Sequence, residues 1–416
     1  MDYEEYRDRL QARFGSPSLA FTHDEYESRL TRLRAQMDEQ GFDLLMLSEP
    51  AELCYLTGYT TFEVSVQCLL LVSAQTSVLF VPAIEIGPAV YLSRVDQVVG
   101  YAWQSPAAVV DLLAAQIRKL ASSARANVGI SLWSNSLRPG LLEMLREKMP
   151  GVRFQDKGDL LDRLRRVKSS AELDYLAQSA KITGAGLDAA AAAIHTGAID
   201  HHIAQAGANT MLGLGSEFMS MQPIVATGAR SGIIHTNHAG HSIERGDIVF
   251  TEFGAVKQRY TAPMMRTAVV GQASAEMREF HAVCLDVLEA VMRSARSGQA
   301  FAEAARAGAA ALAPSFRACT AIRSAPNFRH PGWRVRPSSP ANPRRCSKTT
   351  WSFTCRSVCA SRASGAWGSV RPSGSPGPAL NASPPMTERC TKSIDQPREC
   401  LVRYGVLMAA YDGRSG

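Results

Sequence analysis

A break in composition near residue 313 sets the strongest limit on what this 416-residue chain can fold into. Residues 304–387 contain eleven Arg and one Lys but no Asp or Glu, and residues 313–385 hold eleven of the 21 prolines. A segment of this kind, without helical or strand periodicity, cannot bury enough apolar surface to order itself. We therefore expect the globular part to lie before this break and residues 313–416 to form an anomalous tail.

Three explanations compete for this Arg-, Pro- and Ser-rich tail. It could be a disordered basic segment, an arm that binds nucleic acid, or the product of reading a GC-rich gene in the wrong frame. We favour a frame error, because shifted GC-rich codons yield the residues that dominate here. With synonymous codons of our choosing, one offset converts three parts of the tail into acid-containing, strand-like sequence. The fold is then expected to be incomplete at its C-terminus.

The rest of the chain gives no sign of a nucleic-acid or membrane partner. Residues 1–303 carry 28 basic against 34 acidic side chains, so the basic pI of about 9.0 belongs to the tail. Only Cys54, Cys68 and Cys284 precede residue 304, which is no disulfide framework and favours a reducing cytoplasm. The acidic start is unlike a signal peptide, and polar residues interrupt the most apolar stretch.

Helical and strand patterns alternate in the first part of the chain. Amphipathic helices are predicted over 25–40 and 107–124, and buried strands over 43–49, 67–73, 76–82 and 127–133. This alternation is typical of a compact α/β domain, which we assign to residues 25–158. A charged linker over 159–171 is expected to follow it.

A second domain is predicted over residues 172–312, giving an α+β protein. Its helices are expected from Ser170 to about His195, over 202–212 and over 273–296. A buried strand over 246–256 precedes a second strand that pairs with it antiparallel. Pro263 in that second strand should force a bulge or an edge position, since proline cannot donate to the ladder.

Four sequence motifs carry a resemblance to a known family. YLTGY at 55–59, RRVKSSAELDYLAQSA at 165–180, His235 eleven residues before Gly246, and EFGAVKQRYTAPMMRT at 252–267 occur in that order. Together they resemble the pita-bread superfamily of Xaa-Pro peptidases, prolidase, methionine aminopeptidase, creatinase and ectoine hydrolase. The resemblance covers roughly residues 25–310. It implies an N-terminal creatinase-like α/β domain and a catalytic pita-bread domain, usually in a homodimer.

The resemblance also implies a departure from the metal-dependent members. In the peptidases, two Asp, one His and two Glu hold two metal ions. The positions that match the two Asp are occupied by Glu252 and Pro263, and proline has no donor atom for a cation. The re-read tail also lacks the expected His and Glu-Pro contexts. We therefore predict no metal cofactor, with divalent ions such as manganese belonging to the alternative of a metal-dependent Xaa-Pro peptidase.

The metal-free members that the chain resembles are creatinase and, more closely in the RYTAP-x-x-RT strand, ectoine hydrolase. Both hydrolyse a C–N bond in a small non-peptide molecule, so we expect a small-molecule substrate. Val64, Ser65 and Val66 occupy the place of the Phe-Gly-Arg clamp of creatinase, which argues against creatine. A third possibility is an inactive product of a damaged gene.

Hydrolysis without a Lewis acid needs a group that carries protons, and His235 matches the catalytic position of the family. The competing interpretation is that His235, His238 and His241 are all solvated loop residues; a zinc cluster of the three lacks an acidic partner at ligand spacing. Glu252, in an apolar strand, is the expected carboxylate partner of His235. The alternative is a structural ion pair between Glu252 and Arg266 or Arg259.

Three further residues are candidates for substrate binding. Arg266 could anchor a substrate carboxylate through two hydrogen bonds, or it could brace its strand. Glu217 and Gln222 precede the histidine loop and are candidates for lining the pocket. The Tyr55–Tyr59 loop is expected to serve packing.

Overall fold

The computed structural model describes residues 3–323 except 64, 106, 122 and 234. It divides into two compact units, with the division between Ser169 and Ser170. From residue 324 onward, the anomalous tail lies outside the described residues. Within the described ranges, no helix combines the length and the apolar character that crossing a bilayer would require.

The first unit is built on a six-stranded sheet. Its helices are α1 (Tyr3–Phe14), α2 (His23–Gln40), α3 (Pro50–Thr57), α4 (Ile86–Tyr91), α5 (Ala108–Leu120), α6 (Pro139–Lys148) and α7 (Leu160–Arg166). Its strands are β1 (Leu44–Leu47), β2 (Leu69–Val72), β3 (Ser77–Pro82), β4 (Gln97–Tyr101), β5 (Asn127–Ile130) and β6 (Arg153–Asp156). The strand order is β4-β3-β2-β1-β5-β6. Strand β2 is antiparallel to both neighbours, and the other pairs are parallel.

Both faces of this sheet are buried. In β1, Leu45 and Leu47 belong to one hydrophobic cluster, while Leu44 and Met46 belong to another on the opposite face. A strand covered on both sides has to be apolar throughout rather than alternating, which explains its sequence LLML. Mixed α/β architecture is therefore confirmed for this unit.

Helix α2 illustrates how local sequence sets an element. Thr22 accepts a hydrogen bond from the backbone N–H of Glu25 and caps the start. Gly41 ends the helix in the left-handed conformation, with φ of 70°, which glycine adopts without a steric penalty.

The stretch predicted as a charged linker is largely helical. Helix α7 fills Leu160–Arg166, and Leu160, Leu161 and Leu164 are buried in a core cluster of the first unit. The charged side chains mask this apolar pattern in the sequence. The first domain thus extends through α7, because three leucines on one side of a short helix are more stable packed in the core than exposed to water.

The second unit contains two long helix pairs and a small sheet. Its helices are α8 (Ser170–Ala192), α9 (Asp200–Gly213), α10 (Ala275–Ser294) and α11 (Phe301–Arg323). Its strands are β7 (Ile224–Thr227), β8 (Ile248–Phe253), β9 (Val256–Lys257), β10 (Tyr260–Thr261) and β11 (Met264–Val269). The three-stranded sheet has the order β11-β8-β7, all antiparallel, and β9 and β10 form a hairpin. Helix α11 continues past residue 313, where the anomalous tail was predicted to begin.

One face of the small sheet packs on helices α8 and α9. Val225, Val249 and Phe253 share a core cluster with Leu187 of α8 and Met211 of α9. A Cβ atom at Gly207 of α9 would lie 2.1 Å from the ring of Phe253, so only glycine allows this close approach.

The strand ladder breaks where Pro263 was expected to break it. Strand β8 ends at Phe253, and Pro263 lies between β10 and β11. Two fully buried hydroxyls of α8 replace the missing ladder bonds. Ser179 donates to the carbonyl of Ala255 at 2.7 Å, and the backbone N–H of Ala255 donates to Thr183 at 2.9 Å. The backbone groups of Ala255 at the break are therefore hydrogen-bonded, and the break is a regular part of the fold.

Candidate active site

The register of the small sheet separates two of the predicted site residues. Glu252 of β8 lies opposite Met265 of β11, whereas Arg266 lies opposite Thr251. Directly opposed residues project to the same face of a sheet, and neighbours along a strand project to opposite faces. Glu252 and Arg266 therefore point away from each other, and the sheet does not bring them together.

Arg266 lies on the face covered by helices. It is half-buried, its Nη1 atom donates to the carbonyl of Met265 at 2.7 Å, and its charge acts on Asp188 of α8. Burial raises the pKa of Asp188, and the guanidinium of Arg266 offsets part of that rise. This environment fits bracing of β11 against α8 better than contact with a substrate.

Glu252 occupies the opposite face. Its cross-strand neighbours, Ile224 and Met265, are apolar, and so are Phe250 and Ala226 one pair further along the strands. Glu252 itself is half-buried. Removing a carboxylate from water on such a surface costs free energy unless other groups compensate its charge. A half-buried carboxylate among apolar neighbours is therefore a candidate functional group.

The loop that carries His235 is tied to the edge of the same sheet. Asn237 accepts a hydrogen bond at its Oδ1 atom from the backbone N–H of Val225 at 3.0 Å. Val225 adjoins Ile224, the partner of Glu252 across the sheet. Strand β7 therefore lies between Asn237 and β8, the strand of Glu252, and two strand spacings separate this anchor of the loop from β8 by about 10 Å. His235 is exposed and has a positive φ of 58°.

Two aspartates hold the rest of this loop. Asp200, at the start of α9, is 1% exposed and accepts the backbone N–H groups of Ala239 and Gly240 at 2.8 and 2.9 Å. Asp247 accepts from the backbone of Glu244 at 2.9 Å, and its Oδ2 lies 2.8 Å from His241 Nε2. Burial alone would raise both pKa values. Donated hydrogen bonds outweigh it, so the pKa of each aspartate is lowered.

The three loop histidines have separate environments. His241 pairs with Asp247, His238 lies exposed with its ring centroid 6.4 Å from that of His201, and His235 is exposed elsewhere in the loop. Among the residues that the structure describes, no three His, Cys, Asp or Glu side chains are grouped so as to hold a metal ion. The H-x-x-H-x-x-H spacing thus does not assemble a zinc cluster there.

The described residues do not match the pair of metal ions that the resemblance implies for the metal-dependent members. Gly254 follows the strand of Glu252, and a Cβ atom there would lie 3.2 Å from the ring of Pro263 and 2.0 Å from Ser220 Oγ. The place expected for a second carboxylate ligand is thus filled by a hydrocarbon ring. Glu252 retains a donor, but the further carboxylates and the imidazole needed to complete the coordination of two ions are not grouped with it among the described residues.

Glu217 and Gln222 differ in how far they are already engaged. The carboxylate of Glu217 accepts the backbone N–H of Gln258 and lies 3.7 Å from Arg259 Nε. Gln258 and Arg259 have positive φ values of 49° and 66°, so Glu217 stabilises a strained hairpin turn. Arg259, an expected alternative partner of Glu252, therefore pairs with Glu217. Gln222 is exposed just before β7.

The YLTGY segment serves packing in the first unit. Tyr55 lies in α3, and Tyr59 is 2% exposed, with its hydroxyl donating to Glu85 at 2.7 Å. Burial is the main cause that raises the pKa of Tyr59, and the neighbouring Cys68 and Glu85 add to it. This phenol is a structural hydrogen-bond donor.

Sequence reasoning missed the residues that shape the histidine loop. Asn237 lies between His235 and His238, and its position beside a predicted loop histidine was an available signal. Asp200 bonds residues 39 and 40 positions further along the chain. No local sequence pattern predicts such a contact, because acidic residues are common in the first turn of helices whatever their function.

Comparisons with known proteins agree with this architecture. Residues 29–167 match the creatinase/prolidase N-terminal domain, and residues 174–330 match metallopeptidase family M24. Ectoine hydrolase from Halomonas elongata is 25% identical over 71% of this chain and 78% of its own length. A Xaa-Pro dipeptidase from Pyrococcus horikoshii is 24% identical over 66% and 73%, respectively.

Solved structures show the same fold. The prolidase from Pyrococcus horikoshii OT3 superposes with a TM-score of 0.60 at 22% identity, over 69% of this chain and 78% of that one. Xaa-Pro dipeptidase from Bacillus anthracis gives a TM-score of 0.62 at 22% identity, over 70% and 78%. The chain therefore belongs to the pita-bread superfamily of Xaa-Pro peptidases and creatinase, with a creatinase-like N-terminal domain followed by an M24 domain.

Proposed function

We propose that this protein is a hydrolase that cleaves a C–N bond in a small non-peptide molecule without a bound metal. One observation carries the proposal: the hydrocarbon ring of Pro263 stands beside Gly254 where the metal-dependent relatives are expected to place a carboxylate. Similarity to ectoine hydrolase supports the same class of substrate. Chemistry at this site then has to proceed by proton transfer.

His235 is the proposed proton carrier and Glu252 its carboxylate partner. The imidazole removes a proton from water, the water oxygen bonds to the substrate carbon, and the C–N bond breaks as the same proton passes to the leaving nitrogen. Imidazole exchanges protons near neutral pH, which suits both steps. The Glu252 carboxylate would orient the imidazole. It would also stabilise the positive charge that the imidazole carries after the first proton transfer and before the second.

The remaining candidates take different parts in the proposal. Gln222, exposed at the start of β7, stays a candidate for substrate contact. Arg266 braces β11 beside Asp188, and Glu217 stabilises the hairpin turn at Gln258. We also propose that the protein acts in the cytoplasm as a homodimer.

Replacing His235 tests the proposal. His235→Ala should lower turnover of ectoine by about 100- to 10,000-fold, the usual contribution of a general acid–base group. His238→Ala is the matched control, since it removes an exposed imidazole from the same loop and should leave turnover unchanged. Full turnover by His235→Ala would contradict the proposal.

A metal-dependent Xaa-Pro dipeptidase is the second candidate function. Similarity to the Xaa-Pro dipeptidase of Pyrococcus horikoshii and the carboxylate of Glu252 favour it. Turnover of Xaa-Pro dipeptides that depends on added manganese would select this candidate over the first.

An inactive product of a damaged gene is the third candidate, motivated by the acid-free segment 304–387. Resequencing the gene across that segment and comparing the melting transitions of the chain as written and the corrected chain would decide it. A soluble, active protein of the present sequence would rule it out.

A further inference from the structure

We infer that Asp200 is the residue that positions His235 for proton transfer. This inference rests on the proposed function of His235 and adds a residue that lies far from His235 in sequence. Asp200 belongs to helix α9, whereas His235 belongs to the loop between β7 and β8. Its two carboxylate oxygens connect these elements.

The buried side chain of Asp200 uses both of its carboxylate oxygens to bond the loop. Oδ2 accepts from Ala239 and Oδ1 from Gly240, at 2.8 and 2.9 Å, and the side chain is 1% exposed. Asp200 also donates its backbone N–H to the carbonyl of His241 at 3.0 Å. Hydrogen bonds from backbone N–H groups to a buried carboxylate are short and strong, so the segment 239–241 is fixed against the start of α9.

The other end of the loop is fixed by Asn237. Its side-chain oxygen accepts from Val225 of β7, and its carbonyl accepts from Arg230 at 3.2 Å. His235 lies just before this anchor in a left-handed conformation that residues with a Cβ atom seldom adopt. Such a conformation persists only where surrounding contacts determine it. On one side of the loop, Asn237 and the Thr236 hydroxyl, which donates to the carbonyls of Arg230 and Ile233, supply those contacts. Asp200 supplies them on the other side, so losing Asp200 should loosen the backbone position of His235.

Two histidines lie near the Asp200 carboxylate. His201, on the same helix, has its Nδ1 atom 3.8 Å from Asp200 Oδ1, and the exposed His238 approaches His201. Neither imidazole replaces the two backbone donors. Asp200 is therefore a positioning residue, and its effect on chemistry would pass through the loop.

Amide hydrogen exchange on the full chain tests this inference without any substrate. We compare wild type with Asp200→Ala, with Asp200→Asn, which keeps one acceptor oxygen, and with Asp174→Ala, which removes an exposed carboxylate of α8. Ala239 and Gly240 should exchange at least about 10-fold faster in Asp200→Ala, equivalent to about 1.4 kcal/mol. The expected increase is smaller in Asp200→Asn and absent in Asp174→Ala.

The imidazole itself gives the second readout. In NMR spectra of histidine-labelled protein, the His235 ring signal should shift or broaden in Asp200→Ala and return toward the wild-type position in Asp200→Asn. An unchanged His235 signal in Asp200→Ala, or unchanged exchange at Ala239 and Gly240 in that variant, would overturn the inference. If Asp200→Ala does not fold, Asp200→Asn decides it by exchange alone, because one of the two N–H groups loses its acceptor oxygen, and unchanged exchange at both residues would overturn the inference. Failure of the proposed function would appear separately, as full turnover by His235→Ala.

Discussion

The two sheets of this protein use their faces differently. The six-stranded sheet of the first unit has a hydrophobic cluster on each face, and β1 is buried at every position. The small sheet of the second unit packs one face on α8 and α9 through a shared core cluster, while Glu252 projects from the other. A sheet face committed to a core cannot also present a reacting group. We therefore infer that the first unit supplies stability and that the second supplies chemistry.

Buried charge follows the same division. In the first unit, Lys157 and Glu52 form an ion pair at 2.7 Å with side chains only 5% and 6% exposed, which fixes α3 to the chain after β6. In the second unit, the buried carboxylate of Asp200 holds a loop instead. The buried ion pair of the first unit stabilises its core, whereas the buried carboxylate of the second unit holds a loop of the candidate site.

Removing a large core side chain from the first unit should give the largest effect. Phe80 in β3 is fully buried, so Phe80→Ala should lower the free energy of unfolding by about 3–5 kcal/mol through lost burial and a cavity. Turnover per folded molecule should not change. Chemical denaturation and activity at low temperature measure the two quantities, with the half-exposed Leu132→Ala as control. Loss of turnover in a fully folded Phe80→Ala would break the division between units.

Neutralising the carboxylate of the small sheet should have the opposite profile. Glu252→Gln keeps the shape of the side chain but removes the charge that would stabilise a protonated His235. We expect turnover to fall about 100-fold, or about 2.7 kcal/mol, with little change in melting temperature. Equal losses of stability and turnover would instead indicate that Glu252 forms a structural ion pair.

Acid should weaken the histidine loop by a smaller amount. The pKa values of Asp200 and Asp247 are lowered in the folded protein, so their stabilisation is present above the ordinary Asp pKa of about 3.9 and disappears as pH falls through the lowered values. The melting temperature of the second unit should therefore decline as the pH falls below about 4. The Asp200→Asn, Asp247→Asn double variant should decline less steeply, whereas Asp174→Asn should follow wild type. Parallel curves for all three would contradict the assignment.

Much of the fold was readable because its signals are local. The helical spacing of apolar residues predicted α2, β1 to β3 are continuous apolar runs, and Pro263 breaks the ladder. Strands β4 and β6 were missed, since they lie at the sheet edges with half-exposed residues and no long apolar run.

The candidate site was only partly readable. His235 and Glu252 were predicted from family spacing, but the register that turns Arg266 to the opposite face depends on pairing between strands. Asp200 was invisible for a similar reason, because its partners are distant in sequence. Local patterns therefore identified groups able to react, and three-dimensional pairing decided which of them share a surface.

Turnover after metal removal tests metal-free chemistry most directly. The full chain would be stripped with a chelator, its residual metal measured by mass spectrometry, and ectoine and a Xaa-Pro dipeptide offered with and without manganese. We predict that ectoine turnover persists at substoichiometric metal and that manganese does not raise it. Stoichiometric binding of paired ions, with turnover that is lost on chelation and restored by manganese, would contradict this.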